Sequence, residues 1–149
     1  IIRNEHVRIW NVTTEELYQL ASKNTPTLLP VSFCSIAELL RRFCNDDKDM
    51  NDEKMPLYVL SNRKGVYGAA AVLYDGVLKK LAERFQADLI LIPSSVHEFL
   101  VIPETEEKDM IKLQECVKII NETEVAREEV LSNHIYRYSR ENDLVEIAA

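Results

Sequence analysis

Glycine is nearly missing from this 149-residue chain: Gly65, Gly68 and Gly76 are the only three. Spread that way they cannot form a G-x-x-x-x-G-K-[ST] or G-x-G-x-x-G loop, which disfavours nucleotide binding. Gly68 and Gly76 read instead as a close backbone approach and a helix start. Cysteine is as scarce, and Cys34, Cys44 and Cys116 form no C-x-x-C pair. That excludes a disulfide framework and a zinc knuckle and points to the reducing cytoplasm. Cys44, after Phe43, and Cys116, beside Val117, read as buried hydrophobes, not nucleophiles. The three histidines, His6, His97 and His134, stand in no H-x-x-x-H or H-E-x-x-H spacing, so neither a metal nor a cofactor is expected. No apolar run nears the roughly 20 residues of a membrane span, and no basic-then-apolar leader opens the chain. Positive charge is also short: 18 Lys and Arg against 25 Asp and Glu leave a net charge of −7 and a pI near 5.0. Nucleic acid and anionic membrane surfaces are therefore not expected as partners. The small pairs Arg41-Arg42, Arg63-Lys64 and Lys79-Lys80 read as solvent-facing charge.

What is present is an ordinary globular composition, 46% hydrophobic and 29% charged, in a length that suits one domain with a proper core. The chain opens on Ile1-Ile2 without methionine, which reads as a piece of a longer protein. After a short apolar lead-in with His6, Ile9 and Trp10, Thr13-Thr14-Glu15-Glu16 predicts a capping box and a helix bearing Leu17, Leu20 and Ala21, stopping near Asn24-Thr25-Pro26. Ser35-Ile36-Ala37-Glu38 repeats the device ahead of the stripe Ile36, Leu39, Leu40 and Phe43. Two helices thus precede the sheet. The charged stretch Asn45 to Lys54 reads as a solvated loop. Asp47, Asp49 and Asn51 mimic the opening of a calcium loop, but its glycine position is Asp52 and its closing glutamate falls on Tyr58.

The strongest pattern spans Leu57 to Ile102. Leu57 to Ser61 and Val66 to Leu73 read as a hairpin around Asn62-Arg63-Lys64-Gly65, although the Ala69-Ala70-Ala71 run favours helix. Asp75 caps a predicted helix that buries Val77, Leu78, Leu81, Ala82 and Phe85 and exposes Lys79, Lys80, Glu83 and Arg84. Leu89 to Ile92 and Val96 to Ile102 read as a second hairpin across Pro93-Ser94-Ser95. These strands are apolar on consecutive residues, the pattern of a sheet covered on both faces. The second cover has three candidates: the first two helices, a part of the parent chain, or another subunit. Thr105 opens a predicted helix with Met110, Leu113, Val117 and Ile120 on one stripe, and a short helix is expected over Val125 to Leu131. Ile135 to Tyr138 and Leu144 to Ile147 close a last hairpin. The fold class expected is α+β: a mainly antiparallel sheet of about five or six strands with helices packed on it.

Leu57-Tyr58-Val59-Leu60-Ser61-Asn62, Tyr67-Gly68-Ala69-Ala70, Pro93-Ser94-Ser95-Val96-His97-Glu98, Ile119-Ile120-Asn121 and Leu131-Ser132-Asn133-His134-Ile135-Tyr136-Arg137-Tyr138 together resemble an uncharacterised bacterial family of unknown function. Ala21-Ser22-Lys23-Asn24-Thr25-Pro26 looks like the same family. The resemblance implies that this material is the C-terminal half of longer relatives. It supplies no activity, but it singles out Asn62, Gly68, Ser94, Ser95, His97, Glu98 and Asn121.

Ser94, Ser95, His97 and Glu98 hold the residue types of a nucleophile, a base and an orienting acid. On a strand, however, His97 and Glu98 point to opposite faces, and Ser95 and His97 lie roughly 6.5 Å apart at Cα, beyond the ~3 Å a base needs. The bland reading makes them turn and edge residues satisfying backbone groups. Two functions follow. The favoured one is a non-enzymatic cytoplasmic binding or interaction module, with a protein partner or self-association and with Ser94, Ser95, His97, Glu98, Asn62 and Asn121 as the candidate turn and its neighbours. The alternative is a hydrolase-like enzyme using His97 with Ser94 or Ser95 and a distant carboxylate, the turn lining a concave pocket with a second polar group brought in from Asn62, Asn121 or His134.

Overall fold

The computed structural model describes residues 2–39, 56–104 and 109–149. Four helices, α1 (Asn4–Trp10), α2 (Thr14–Leu28), α3 (Val77–Phe85) and α4 (Met110–Thr123), accompany six strands, β1 (Val31–Ser35), β2 (Tyr58–Asn62), β3 (Leu89–Ser95), β4 (Glu98–Pro103), β5 (Tyr136–Ser139) and β6 (Leu144–Ile147). A 3₁₀ segment, Gly68–Leu73, lies between β2 and α3, and residues 36–39 are helical. The strands form one sheet in the order β1-β2-β4-β3-β5-β6, every neighbouring pair antiparallel. The expected α+β class and strand number are thus the observed ones.

Leu89, Ile90, Leu91 and Ile92 show why consecutive apolar residues are needed. Side chains alternate across a strand, so Leu89 and Leu91 join Leu60, Phe99, Val101 and Tyr138 under α3 and the 3₁₀ segment. Ile90 and Ile92 join Ile102 and Ile135 under Val117 of α4, with Met110 and Leu113 alongside. Both faces of the central strands are covered, and the second cover is α4 from within this chain. Helices α1 and α2 contribute no buried residue.

The capping box at Thr13 forms: Thr13 Oγ1 accepts from the Glu16 N–H at 3.1 Å, and the Thr13 N–H donates to Glu16 Oε2 at 2.7 Å. Ser35 Oγ likewise accepts from the Glu38 N–H at 3.1 Å. Helix α3 buries Leu78, Leu81 and Ala82, partly buries Val77 and Phe85, and exposes the expected charged face.

Elsewhere the structure corrects the sequence reading. The lead-in is helical (α1), and α2 runs through Pro26 to Leu28, because the Leu29 N–H closes the last turn on the Thr25 carbonyl at 2.7 Å. Val31–Ser35 is a strand, paired with β2 across a long sequence gap. The expected strand over Val66 to Leu73 is the 3₁₀ segment instead; Ala69 and Ala71, small enough to lie flat on β2 and β4, are buried there. Gly76, at φ 67, and not the Asp75 side chain, precedes α3. Helix α4 starts after Asp109, whose carboxylate accepts from the Lys112 N–H at 3.1 Å, while Thr105 lies outside the described residues. Residues 125–131 form turns, not a helix. Cys116 is exposed on α4, not buried. The stretch Asn45 to Lys54, with its calcium-loop mimic, and Cys44 fall outside the described residues.

Candidate functional site

The β3–β4 hairpin turns at Val96 and His97, not at Pro93-Ser94-Ser95. Strand β3 continues to Ser95, which pairs with Glu98, and a register shift between Pro93 and Ser95 leaves Ser94 as a bulge. Ser95 Oγ accepts from the His97 N–H at 3.1 Å, so the serine closes the turn onto itself.

Three other segments are tied to this turn. From β2, the Ser61 hydroxyl donates to the His97 carbonyl at 2.8 Å. At the start of the 3₁₀ segment, the Tyr67 N–H donates to His97 Nδ1 at 3.0 Å and the Ala69 N–H to the Val96 carbonyl at 3.3 Å. From the segment after α4, the Glu129 carbonyl accepts from the Val96 N–H at 2.9 Å, and Glu129 Oε1 lies 3.4 Å from His97 Nε2. A ring nitrogen that accepts from a backbone N–H carries no proton, so His97 holds its proton on Nε2 and presents it to Glu129. Tyr67 sits at φ 51, a conformation unfavourable for a bulky residue, and its ring stands 5.6 Å from that of His97. The knot is crowded. A Cβ on Gly68 would meet Ser61 Oγ at 2.0 Å, the His97 carbonyl at 2.6 Å and the Asn62 nitrogen at 2.7 Å, which explains the glycine by close approach.

Asn62 closes the loop after β2: its amide donates to the Val66 carbonyl at 2.9 Å and its carbonyl oxygen accepts from the Lys64 N–H at 2.9 Å. Asn121 works elsewhere. Buried on α4, it donates to the Ser132 carbonyl at 3.1 Å and to Asn133 Oδ1 at 2.8 Å. Glu98 opens β4 and is half-buried. The exposed His134 accompanies the C-terminal pairing, with Nδ1 3.2 Å from the Ala149 carbonyl oxygen. Both ring nitrogens of His97 thus face groups other than a serine hydroxyl, and Asn121 and His134 bond to parts of the chain other than the turn.

Beside the knot lies the feature that sequence reasoning missed, a groove of about 450 Å³. Ala69, Ala70, Val72 and Leu73 form one wall, Leu131 and Ser132 the other; Phe99 and Tyr136 make the floor, and Tyr67 and Val96 the end. Among the described residues no charged side chain lines it, and its polar feature is the Ser132 Oγ–Tyr136 OH pair at 3.1 Å. None of the six candidate residues lines the groove either. Ser95 and His97 hold the Val96–Tyr67 end from behind, and Asn121 holds the Ser132 wall. The sequence signal that existed was the helix-favouring character of Ala69-Ala70-Ala71, which makes a wall where a strand was expected. Such a groove can take up an apolar group and offer it one hydroxyl pair. Among the described residues, no three His, Cys, Asp or Glu side chains come together to hold a metal.

Fold and groove together define a small α+β domain, one antiparallel sheet covered on both faces with an apolar furrow at one end of its α3 side. Its relationship is shown by a family model that matches residues 1–140: the chain belongs to a family of unknown function (DUF5688). No curated protein and no solved structure matches it. Among the described residues, no helix is long and apolar enough to cross a membrane.

Proposed function

We propose that the chain is a non-enzymatic protein-interaction module of the bacterial cytoplasm, whose groove beside the His97 turn receives apolar side chains of a partner protein. The observation that carries this reading is the uncharged groove held by a hydrogen-bonded knot. A wall fixed before binding loses little conformational freedom on binding. A protein, rather than a small metabolite, suits the site because the apolar surface spreads past the cavity: Tyr67, Leu73 and Leu131 at the rim are 69%, 72% and 44% exposed. The exposed Cys116 thiol fits a reducing compartment.

The test is selection of a displayed random-peptide library on the wild-type chain, with counter-screening on Ala70→Trp, which fills the groove from an exposed position. Peptides with apolar anchors that bind the wild type and lose binding to Ala70→Trp are expected. No enrichment, or enrichment indifferent to that substitution, would overturn the reading. The hydrolase alternative draws on the His97–Glu129 contact, since a histidine and a carboxylate are two of the three members of a triad. It requires Tyr67 to release Nδ1 to a serine. Labelling by a fluorophosphonate probe that disappears in His97→Ala would favour it over the module.

A further inference from the structure

Strand β6 ends the sheet, and among the described residues no strand pairs with its outer side. We infer that this outer edge of β6 is a second interaction surface, which takes an extended, basic, alternately apolar segment of another protein as a seventh strand. The inference goes beyond the groove, sharing with that reading only the idea that the chain binds proteins.

Three observations carry it. First, in an antiparallel ladder every second residue turns its N–H and C=O outward, so β6 presents unpaired backbone groups to a newcomer. Natural edges are commonly blunted by a short strand, a charged side chain, proline or a bulge; β6, Leu144-Val145-Glu146-Ile147, is short and carries the one charge Glu146, but it has neither proline nor bulge and pairs with β5 in unbroken register. Its apolar members are 58%, 40% and 61% exposed. Second, the strand is held ready at both ends. The Ala148 N–H donates to the Ile135 carbonyl at 2.8 Å and the Ile135 N–H to the Ala149 carbonyl at 2.9 Å, while Tyr138 OH donates to Asp143 Oδ1 at 2.5 Å. Third, the charge around the edge is acidic. Arg137, the cross-strand neighbour of Glu146, already bonds Glu104 at 2.7 Å and Asp88 at 3.1 Å. The Glu146 carboxylate has no ion pair among the described residues; residues 140–147 carry Glu141, Asp143 and Glu146 against Arg140, with Lys79 Nζ 4.0 Å from the Asp143 carboxylate.

These features specify the occupant. Val145 and Ile147 lie opposite Tyr138 and Tyr136 and share their face, whereas Leu144 and Glu146 share the other. A complementary strand therefore carries branched apolar residues on the first face and lysine or arginine near Glu146 on the second. A second copy of this chain would bring another −7 and another acidic edge, which charge opposes.

The test uses acetyl-Thr-Val-Lys-Val-Lys-Val-Thr-amide, its counterpart with Glu for Lys, and two forms N-methylated on alternate residues, titrated against the ¹⁵N-labelled chain. The Lys peptide is expected to shift the Val145 to Ile147 amides, and the Glu peptide to bind about tenfold more weakly. Only one alternate set of peptide amides faces β6, so one methylated form is expected to fail and the other to bind. Glu146→Lys, whose dispersed spectrum confirms folding, should reverse the Lys-over-Glu preference, and Ala70→Trp should leave it unchanged. No response at about millimolar peptide, or equal binding of both methylated forms, overturns the inference. So does a wild-type dimer in sedimentation that Glu146→Lys dissociates, which would make the occupant a second copy. Failure of the groove reading is separate, since it shows only in the Ala70→Trp counter-screen.

Discussion

Gly68→Ala adds one methyl group to the tightest point of the knot. Gly68 does not take a positive φ, so the backbone itself accepts alanine, and the cost is steric alone. At 2.0 Å from the new Cβ, Ser61 Oγ must rotate away and surrender its hydrogen bond to the His97 carbonyl. Leaving those buried groups unpaired costs about 1–3 kcal/mol. The other two neighbours, the His97 carbonyl at 2.6 Å and the Asn62 nitrogen at 2.7 Å, are backbone atoms and can retreat only by moving β2 from the turn. Overpacking of that kind adds about 1–3 kcal/mol. The expected loss is therefore about 2–6 kcal/mol, a large share of the roughly 5–15 kcal/mol that holds a domain folded. The control is Gly65→Ala: with φ +66 and no atom within 4 Å, only the left-handed backbone penalty applies, about 1 kcal/mol. Adding Ser61→Ala to Gly68→Ala removes the nearest clash but not the backbone ones, so part of the loss returns. Urea unfolding followed by far-ultraviolet circular dichroism, with unchanged slopes, measures all three variants. If Gly68→Ala is no more destabilising than Gly65→Ala, the close-approach argument is wrong.

Three further outcomes follow from the same geometry. His97→Ala removes the acceptor of the exposed Tyr67 N–H and should cost about 0.5–1.5 kcal/mol, while His97→Asn, with an acceptor near the Nδ1 position, recovers part; equal losses in urea titrations would deny the ring that role. Burial, then the Asp143 hydrogen bond, pushes the Tyr138 hydroxyl up to about 12. The unfolded chain releases that proton near its ordinary pKa of about 10 while the native chain keeps it, so stability is intact below that pH and falls from there to the native value, by up to about 1.4 kcal/mol per pH unit. Tyr138→Phe should flatten this alkaline loss in urea midpoints, and an unaltered slope would refute the assignment. The Glu16 carboxyl is held below its usual range by the Thr13 N–H and hydroxyl, in a helix that buries no residue. Thr13→Ala should therefore lose hydrogen-exchange protection in the first turn of α2 without moving the global unfolding midpoint. A shifted midpoint would place α2 in the cooperative core.

The legible parts of the sequence were those where one local pattern decides the outcome. Thr13 to Glu16 carries its own cap, the α3 stripe repeats every three or four residues, and Leu89 to Ile92 is too uniformly apolar to have a wet side. Pairings between distant segments were harder to see. Strand β1 is short, and its alternation of Val31 and Phe33 after Pro30 gains meaning only once Phe33 stacks on Tyr58 at 5.1 Å, across residues 36–57. The Ala69-Ala70-Ala71 run carried the correct signal, helix over strand, and was outweighed by the apparent hairpin at Gly65. The His97 turn was placed a few residues early because Pro93-Ser94-Ser95 has turn chemistry, which the structure spends on a bulge. The groove was invisible because its walls, 69–73 and 131–132, are far apart in sequence and neither has a motif.

The positions that carry the family resemblance fall largely on supports of the groove and not on its lining. Asn62, Gly68, Ser95 and His97 meet in or against one knot, and Asn121 braces the opposite wall, each through hydrogen bonds or close contacts. Ala70, Leu73 and Leu131, by contrast, face the furrow with side chains that hold nothing else in place, so their chemistry can change what is bound without loosening the domain. Loss of activity in a variant of His97 would for this reason be ambiguous alone, since the wall it holds would move whether or not the ring touches a ligand. The discriminating comparison sets His97→Asn, which keeps the acceptor for Tyr67, against Ala70→Trp, which keeps the knot. A ligand lost only in the second was held by the groove, and one lost in both proteins at full stability was touching the imidazole.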